Sequence, residues 1–476
     1  MENELISQPV LITRNKCETQ KVLSNEIELT KCFLYSDSTD YIDRIESENY
    51  GIYIIGYILD TRNSKLLKNE IIKNLLSLYI EDETEFLDNL NYLNGRFIIL
   101  INTPTDTRIY VDSTNMKPIF YYEDLIFCTH EKLLVDILKS ELKIGIEKYP
   151  FLMNGFLDYS NYINIFKFNP NMTYSFQSNE FSRIFPYRNF DYQTVQMVLE
   201  NTLPLLNNQV EWLDDNYKYL YLSLTGGIDS KTSMALSKSL KSKIKYFTYM
   251  TDINNKSFNE LNRFNQIYYQ DKYIVDQLVY NFDLDHQFFY LKNYIPTKNF
   301  LSKLKESVSS QHSYKLAYIL DRELKDNSIH IKSTIYGMAK MNFGQKIQDT
   351  EDTKNIIDAI AFWAPKEIRE NRHLLEELYL AFADRTEYSL IDKYNYPIAI
   401  MLLWEFRMSN WHSNITQETD FKIETFVFMN TRFIIDQLIS LNNEDRKNND
   451  YLMKIIKSKW PALNYFLPNS FLTLED

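Results

Sequence analysis

Apolar residues follow two rhythms along this 476-residue chain, and the change between them divides it. Through the first 135 residues they come in short β-branched and aromatic runs, each closed by turn residues. Gly51-Ile-Tyr-Ile-Ile-Gly-Tyr-Ile-Leu59, Arg96-Phe-Ile-Ile-Leu-Ile-Asn102, Arg108-Ile-Tyr-Val-Asp112, Ile119-Phe-Tyr-Tyr122 and Leu125-Ile-Phe-Cys-Thr129 read as strands. A helix around Asn69–Ile80 interrupts them. This spacing predicts hairpin-linked antiparallel sheets with few covering helices.

After a connector over Phe151–Phe176 the rhythm changes. Val195, Val198, Leu199, Leu203, Leu206, Val210 and Leu213 recur at helical spacing. A strand ending near Ser223 follows, then a strand at Ile244–Tyr249, a helix over Phe258–Phe282, and strands at Gln287–Leu291 and Ile329–Ile335. Alternating strands and helices predict a parallel, doubly wound sheet with ligands at the carboxyl ends of its strands. Beyond about Phe343 the chain reads as helical and aromatic. The expected fold class is therefore α/β and α+β, with a β-rich unit over 1–180 and a doubly wound unit with a helical tail over 190–476.

Chemistry concentrates at one turn. Only nine glycines occur, and Gly226 and Gly227 stand together after the apolar run Tyr219-Leu-Tyr-Leu-Ser-Leu224. The stretch Leu224-Thr-Gly-Gly-Ile-Asp-Ser-Lys231 joins a strand to a helix start. Backbone N–H groups and the helix dipole at such a turn form an anion cradle. Ser223, Thr225 and Ser230 add hydroxyls. Asp229 would repel a phosphate directly, so its expected role is to hold Mg²⁺ against phosphates. Lys231 opposes the helix dipole in the first turn, which a bound polyanion would compensate. The alternative is a plain strand-to-helix turn capped by Ser230.

Composition narrows the classes. Hydrophobic content of 45% and aromatic content of 15% support large cores, and the net charge is −12. No basic stripe interleaved with aromatics appears, so nucleic acid is not an expected partner. Cys17, Cys32 and Cys128 are too few and scattered for a disulfide framework or a zinc site. No apolar run approaches a membrane span and no signal peptide is read, so a cytoplasmic protein without a membrane partner is expected. A homodimer is left open.

The loop Leu224-Thr-Gly-Gly-Ile-Asp-Ser230 resembles the Ser-Gly-Gly-x-Asp-Ser pyrophosphate loop of the asparagine synthetase superfamily, with Thr225 for the usual Ser. Upstream, Leu93-Asn-Gly95-Arg-Phe97, Tyr110-Val-Asp112, Lys117-Pro118-Ile-Phe-Tyr-Tyr122 and Phe127-Cys-Thr129 are similar to the amidotransferase-like domain that precedes those synthetases. The resemblance implies ATP and Mg²⁺, with ATP cleaved to AMP and pyrophosphate. It also implies a substrate carrying a carboxylate and an amine, joined as an amide through an acyl-adenylate. Asp271 and Leu284-Asp-His286 match the family's Asp-bearing helix, which makes Asp271 a second metal-ligand candidate and sets His286 near the ligand. Ser333-Thr-Ile-Tyr-Gly337 stands where the family carries a second acidic loop, so Tyr336 replaces an acid as a catalytic candidate. In the tail, Glu405-x-Arg407, Trp411, Phe426–Arg432, Arg446, Tyr451, Lys454, Lys457 and Trp460 resemble the family's C-terminal half. The resemblance implies that Lys454 or Lys457 steadies the acyl-adenylate.

One departure removes a function. The active amidotransferases need a cysteine directly after the initiator Met, and Glu2 stands here. Cys32 and Cys128 sit in apolar strand-like segments that favour buried, inert thiols. Glutaminase activity is expected to be absent. Relatives of this kind include β-lactam synthetases and lasso-peptide cyclases. A nucleotide- or partner-binding pseudoenzyme is the alternative. A sulfur-transferring or tRNA-modifying ATP pyrophosphatase would want a catalytic cysteine and a basic surface.

Overall fold

The computed structural model describes residues 5–18, 23–123, 126–153, 155–252, 258, 261–340 and 353–466. Twelve strands of the first half form two six-stranded sheets. They are β1 (Val10–Thr13), β2 (Asn25–Leu29), β3 (Cys32–Ser36), β4 (Ile42–Glu46), β5 (Gly51–Asp60), β6 (Leu93–Asn102), β7 (Thr107–Val111), β8 (Phe120–Tyr122), β9 (Ile126–Cys128), β10 (Ile165–Lys167), β11 (Met172–Ser175) and β12 (Glu180–Arg183). The orders are β10-β8-β9-β1-β3-β2 and β12-β11-β7-β6-β5-β4, with every recorded pairing antiparallel.

Long apolar strands dictate the layering. In β5, Tyr53 and Ile55 enter the core between the sheets, while Ile52 and Ile54 face outward; in β6, Ile98 and Leu100 face inward and Ile99 and Ile101 outward. A strand apolar on both faces cannot leave either to water. The helices Lys68–Glu81 and Glu83–Leu90 cover that outer face through Ile72, Leu75 and Phe86. The helix Glu131–Ser140 covers the other sheet, with Leu134 and Leu138 against Leu11 and Cys128. The result is a four-layered unit, more fully covered than the spacing of its strands predicts.

The second half builds a five-stranded parallel sheet from β13 (Leu220–Ser223), β14 (Ile244–Met250), β15 (His286–Tyr290), β16 (Ile329–Ile331) and β17 (Glu424–Phe426). Its order is β15-β14-β13-β16-β17, so the winding reverses between β13 and β16. Crevices open at such a reversal, beyond the carboxyl ends of the strands. The Gly226-Gly227 turn follows β13 directly. A fifth strand is a correction to the reading of everything past Phe343 as helical. The helix expected over Phe258–Phe282 is described as Arg263–Phe282. Asn154, Leu125 and the segment 341–352 lie outside the described residues.

The halves are welded by one core and a polar seam. Leu59, Met116, Met153 and Phe156 pack in the same cluster as Leu206, Trp404 and Phe428. Arg183 and Glu405 form an ion pair at 2.6 Å with both side chains fully buried, and Asn169 and Asn171 donate to the same carboxylate. Asn94 donates to Gln209 and to the Val427 carbonyl, and Asn430 donates to the Gly95 carbonyl. Residues of the Asn-Gly-Arg-Phe strand thus serve the seam.

Candidate nucleotide-binding site

Hydroxyls fold the turn onto itself. Ser230 Oγ accepts the Thr225 N–H at 3.1 Å and donates to the Thr225 carbonyl at 3.0 Å. Thr225 Oγ1 accepts the Gly227 N–H at 3.1 Å. Ser230 is therefore a staple within the loop, and Gly227, not Ser230, occupies the N-cap of the helix Ile228–Leu236. Gly227 brings no side-chain cap, so the first-turn N–H groups keep the character that attracts an anion.

The loop is clamped from the neighbouring helix. Asp271, 8% exposed, accepts the Gly226 N–H through Oδ1 at 2.8 Å. A Cβ on Gly226 would lie 2.8 Å from that oxygen and 2.9 Å from Ile274 Cδ1. Only glycine permits this approach. Gly227 meets nothing closer than Thr225 Oγ1 at 3.3 Å. The fold thus brings Thr225, Gly226, Gly227, Ser230 and Asp271 together, with Asp271 accepting a backbone N–H.

Asp229 follows the turn and splits its two oxygens. Oδ2 pairs with Lys340 Nζ at 2.7 Å, while Oδ1 is buried without a hydrogen-bond partner. An orphaned carboxylate oxygen is a place a hard cation fits, and Lys340 already sets a positive charge on the other. Among the described residues no group of three or more His, Cys, Asp and Glu side chains is placed to hold a metal. A cation here would depend on Asp229, phosphate oxygens and water, which is how Mg²⁺ usually binds.

The remaining candidates are dispersed. Lys231 is 1% exposed and turns away from the cradle to donate to the Phe466 carbonyl at 2.6 Å; burial lowers its pKa to about 8, against an opposing pull from Asp271. Ser223 Oγ lies 3.0 Å from His330 Nε2, on the sheet. Tyr336 is fully buried beneath the helix, its hydroxyl 2.8 Å from Ser233 Oγ, which Ser333 also reaches at 2.9 Å. Burial raises that phenol's pKa, so it stays protonated. His286 Nε2 is 2.9 Å from Thr248 Oγ1. Lys454 and Lys457 line a groove of about 440 Å³ against the helix Val195–Asn216, beside Leu199, Leu203 and Pro204. Neither hydrogen-bonds the loop.

All three cysteines are buried, and burial pushes the Cys32 and Cys128 thiols up to about 12. Glu2 lies outside the described residues. Sequence reading missed Lys340, since no motif marks a lysine more than a hundred positions from the acid it pairs with.

Among the described residues no helix is long and apolar enough to cross a membrane. No family model matches the chain, and no curated protein matches it. Solved structures show a weak likeness. Glutamine phosphoribosylpyrophosphate amidotransferase from B. subtilis, in complex with ADP and GMP, is 11% identical over 51% of this chain and 60% of that one, with a TM-score of 0.23. A structure described as the allosteric regulatory enzyme of purine biosynthesis is 10% identical over 56% and 64%, with a TM-score of 0.24. The chain thus spans less than two thirds of either, and similarity at this level assigns neither a fold family nor an activity.

Proposed function

We propose that this chain is an ATP-dependent amide-forming ligase of the asparagine synthetase type, lacking glutaminase activity. In this reading residues 1–180 are a degenerate amidotransferase-like domain and 190–476 the nucleotide-cleaving one. The observation that carries the proposal is the turn after β13: a Gly-Gly backbone clamped by Asp271, opening an uncapped helix at the winding reversal of a parallel sheet. First-turn N–H groups and Thr225 bind the phosphates, and Asp271 holds the turn open for them. Asp229 is the protein's contribution to a Mg²⁺ site, where the ion would neutralise charge on the leaving pyrophosphate. The substrate's carboxylate is activated as an acyl-adenylate and passes to an amine of a small molecule or peptide. The buried, protonated thiols are why glutamine is not the proposed ammonia source.

Pyrophosphate exchange tests the reading. With a panel of carboxylic acids, the wild type is expected to incorporate labelled pyrophosphate into ATP. Asp229→Ala is expected to lose at least about 100-fold of that rate with its unfolding midpoint kept. Exchange by Asp229→Ala at the wild-type rate removes the metal assignment. One observation favours a second reading, a nucleotide-binding pseudoenzyme: Lys340 sits on Asp229 while Asp271 is engaged by Gly226. Saturable ATP binding without exchange for any acid would select it.

A further inference from the structure

Between the helices Val195–Asn216 and Asp450–Lys459 runs a groove of about 440 Å³ that the proposed function does not use. Leu199 and Leu203 stand one helical turn apart and give it an apolar floor, which Pro204 extends. Lys454 and Lys457, three positions apart, are the contribution of the second helix. The two helices are fixed to each other. The buried Thr202 and Tyr451 hydroxyls lie 2.8 Å apart, and Leu199 and Leu206 share one core cluster with Leu452 and Ile455.

The two sides of the groove differ in what they offer. Lys454 and Lys457 are exposed, and neither makes a hydrogen bond or ion pair among the described residues. Asp445, the acid that feels the charge of Lys454, does not line the groove and accepts from Asn442 at 2.7 Å. Across the groove Glu200 accepts from Gln196 at 2.8 Å. Pro204 adds a backbone acceptor. A proline inside a helix brings no N–H to the carbonyl four residues earlier, here that of Glu200. Helical carbonyls point along the axis, and Glu200 and Pro204 both line the groove, so this acceptor belongs to it.

We infer that the groove docks a peptide segment of a partner protein in which apolar and acidic residues alternate. Side chains on one face of an extended strand repeat every ~6.8 Å, close to the ~6 Å between Leu199 and Leu203. The lysine stems lie along apolar surface and carry their ammonium groups to the rim, where the acidic side chains stand. A peptide N–H answers the Glu200 carbonyl, which a lipid chain has no group to do. Nucleic acid is a poor match, since Glu200 opposes it and no aromatic ring lines the groove for bases to stack on. None of this rests on the nucleotide reading.

Saturation-transfer difference NMR on the full chain tests the inference. The probes are the amide-capped peptide acetyl-Leu-Glu-Leu-Glu, its Gln and Lys counterparts, and decanoate. The acidic peptide is expected to saturate with a Kd below about 5 mM and the Gln peptide to bind about 10-fold more weakly. Lys454→Glu combined with Lys457→Glu is expected to reverse the order, so that the Lys peptide binds best. Pro204→Ala returns a donor to the Glu200 carbonyl and is expected to weaken the acidic peptide by about 2- to 10-fold. No saturation by the acidic peptide to about 20 mM overturns the inference, as does equal binding of the acidic and Gln peptides. An unchanged order in a charge-reversed variant with wild-type circular dichroism overturns it too. Tighter binding of decanoate than of the acidic peptide, or wild-type affinity in Pro204→Ala, would remove the peptide as occupant. Self-association of the chain that the charge-reversed variant loses would seat a second copy there instead.

Discussion

Two adjacent glycines do different work, and the difference is measurable. Gly226 admits the Asp271 carboxylate to its own N–H, whereas Gly227 has an ordinary extended backbone and a Cβ there would meet only the Thr225 hydroxyl, at 3.3 Å. Gly226→Ala is expected to cost about 1–3 kcal/mol, from overpacking against Asp271 and Ile274. On the proposed function it also weakens ATP binding. Gly227→Ala is expected to stay within about 0.5 kcal/mol. Urea midpoints of the two variants check the contrast, and equal midpoints would contradict the clamp. At this scale the turn was legible because its chemistry is local. Five of the six residues from Thr225 to Ser230 carry it, and glycine is scarce elsewhere. The partners of those residues were not. Lys340 and Asp229 meet only through the fold, and no periodicity connects positions so far apart.

Among elements, legibility followed the continuity of apolar residues: three-residue β8 and β9 were read, and three-residue β17 was not. The runs that became β5 and β6 announced themselves because both of their faces are largely buried and their apolar residues are nearly continuous. Three-residue β17 did not, since Glu424-Thr-Phe426 has no pattern to detect and pairs only because β16 presents a free edge. The π-helix Leu403–His412 was equally hidden, as the 3.6-residue period is the only helical signal a sequence displays. Covering helices were underestimated because the outward residues of β5 and β6 look like strand residues until the second face is counted. Between elements, the seam makes a quantitative demand. Glu405→Gln leaves the Arg183 guanidinium buried without its counter-ion and is expected to cost about 3–5 kcal/mol. Replacing both partners with apolar residues of similar volume is expected to restore part of that loss. Denaturant unfolding of the single and double variants measures it.

At the scale of the molecule, buried imidazoles set the response to acid. Burial lowers His130 to about 4 and His330 to about 3, and holds His412 well below its usual value, with nearby positive charge adding to each. All three are nearly inaccessible to water. Their folded pKa values lie below the 6.5 of an unfolded histidine. As pH falls through that window the unfolded chain takes up protons that the folded one refuses. The stability these groups contribute is whole above about 6.5 and is lost as pH falls towards 4. Unfolding free energies from urea titrations are expected to drop by a few kcal/mol between about pH 7.5 and about pH 5. A flat profile would mean that the histidines are charged or solvated in the native state.

The single core spanning both halves has a practical corollary for engineering. Met116 and Phe156 share their packing with Trp404 and Phe428, and Trp404 also donates its indole N–H to the Ser113 carbonyl at 2.6 Å. A chimaera that grafts another sandwich onto this parallel sheet must rebuild that mosaic residue by residue. Swapping modules between β12 and the helix Val195–Asn216 alone would expose on each fragment an oily scar that water penalises and that invites self-association.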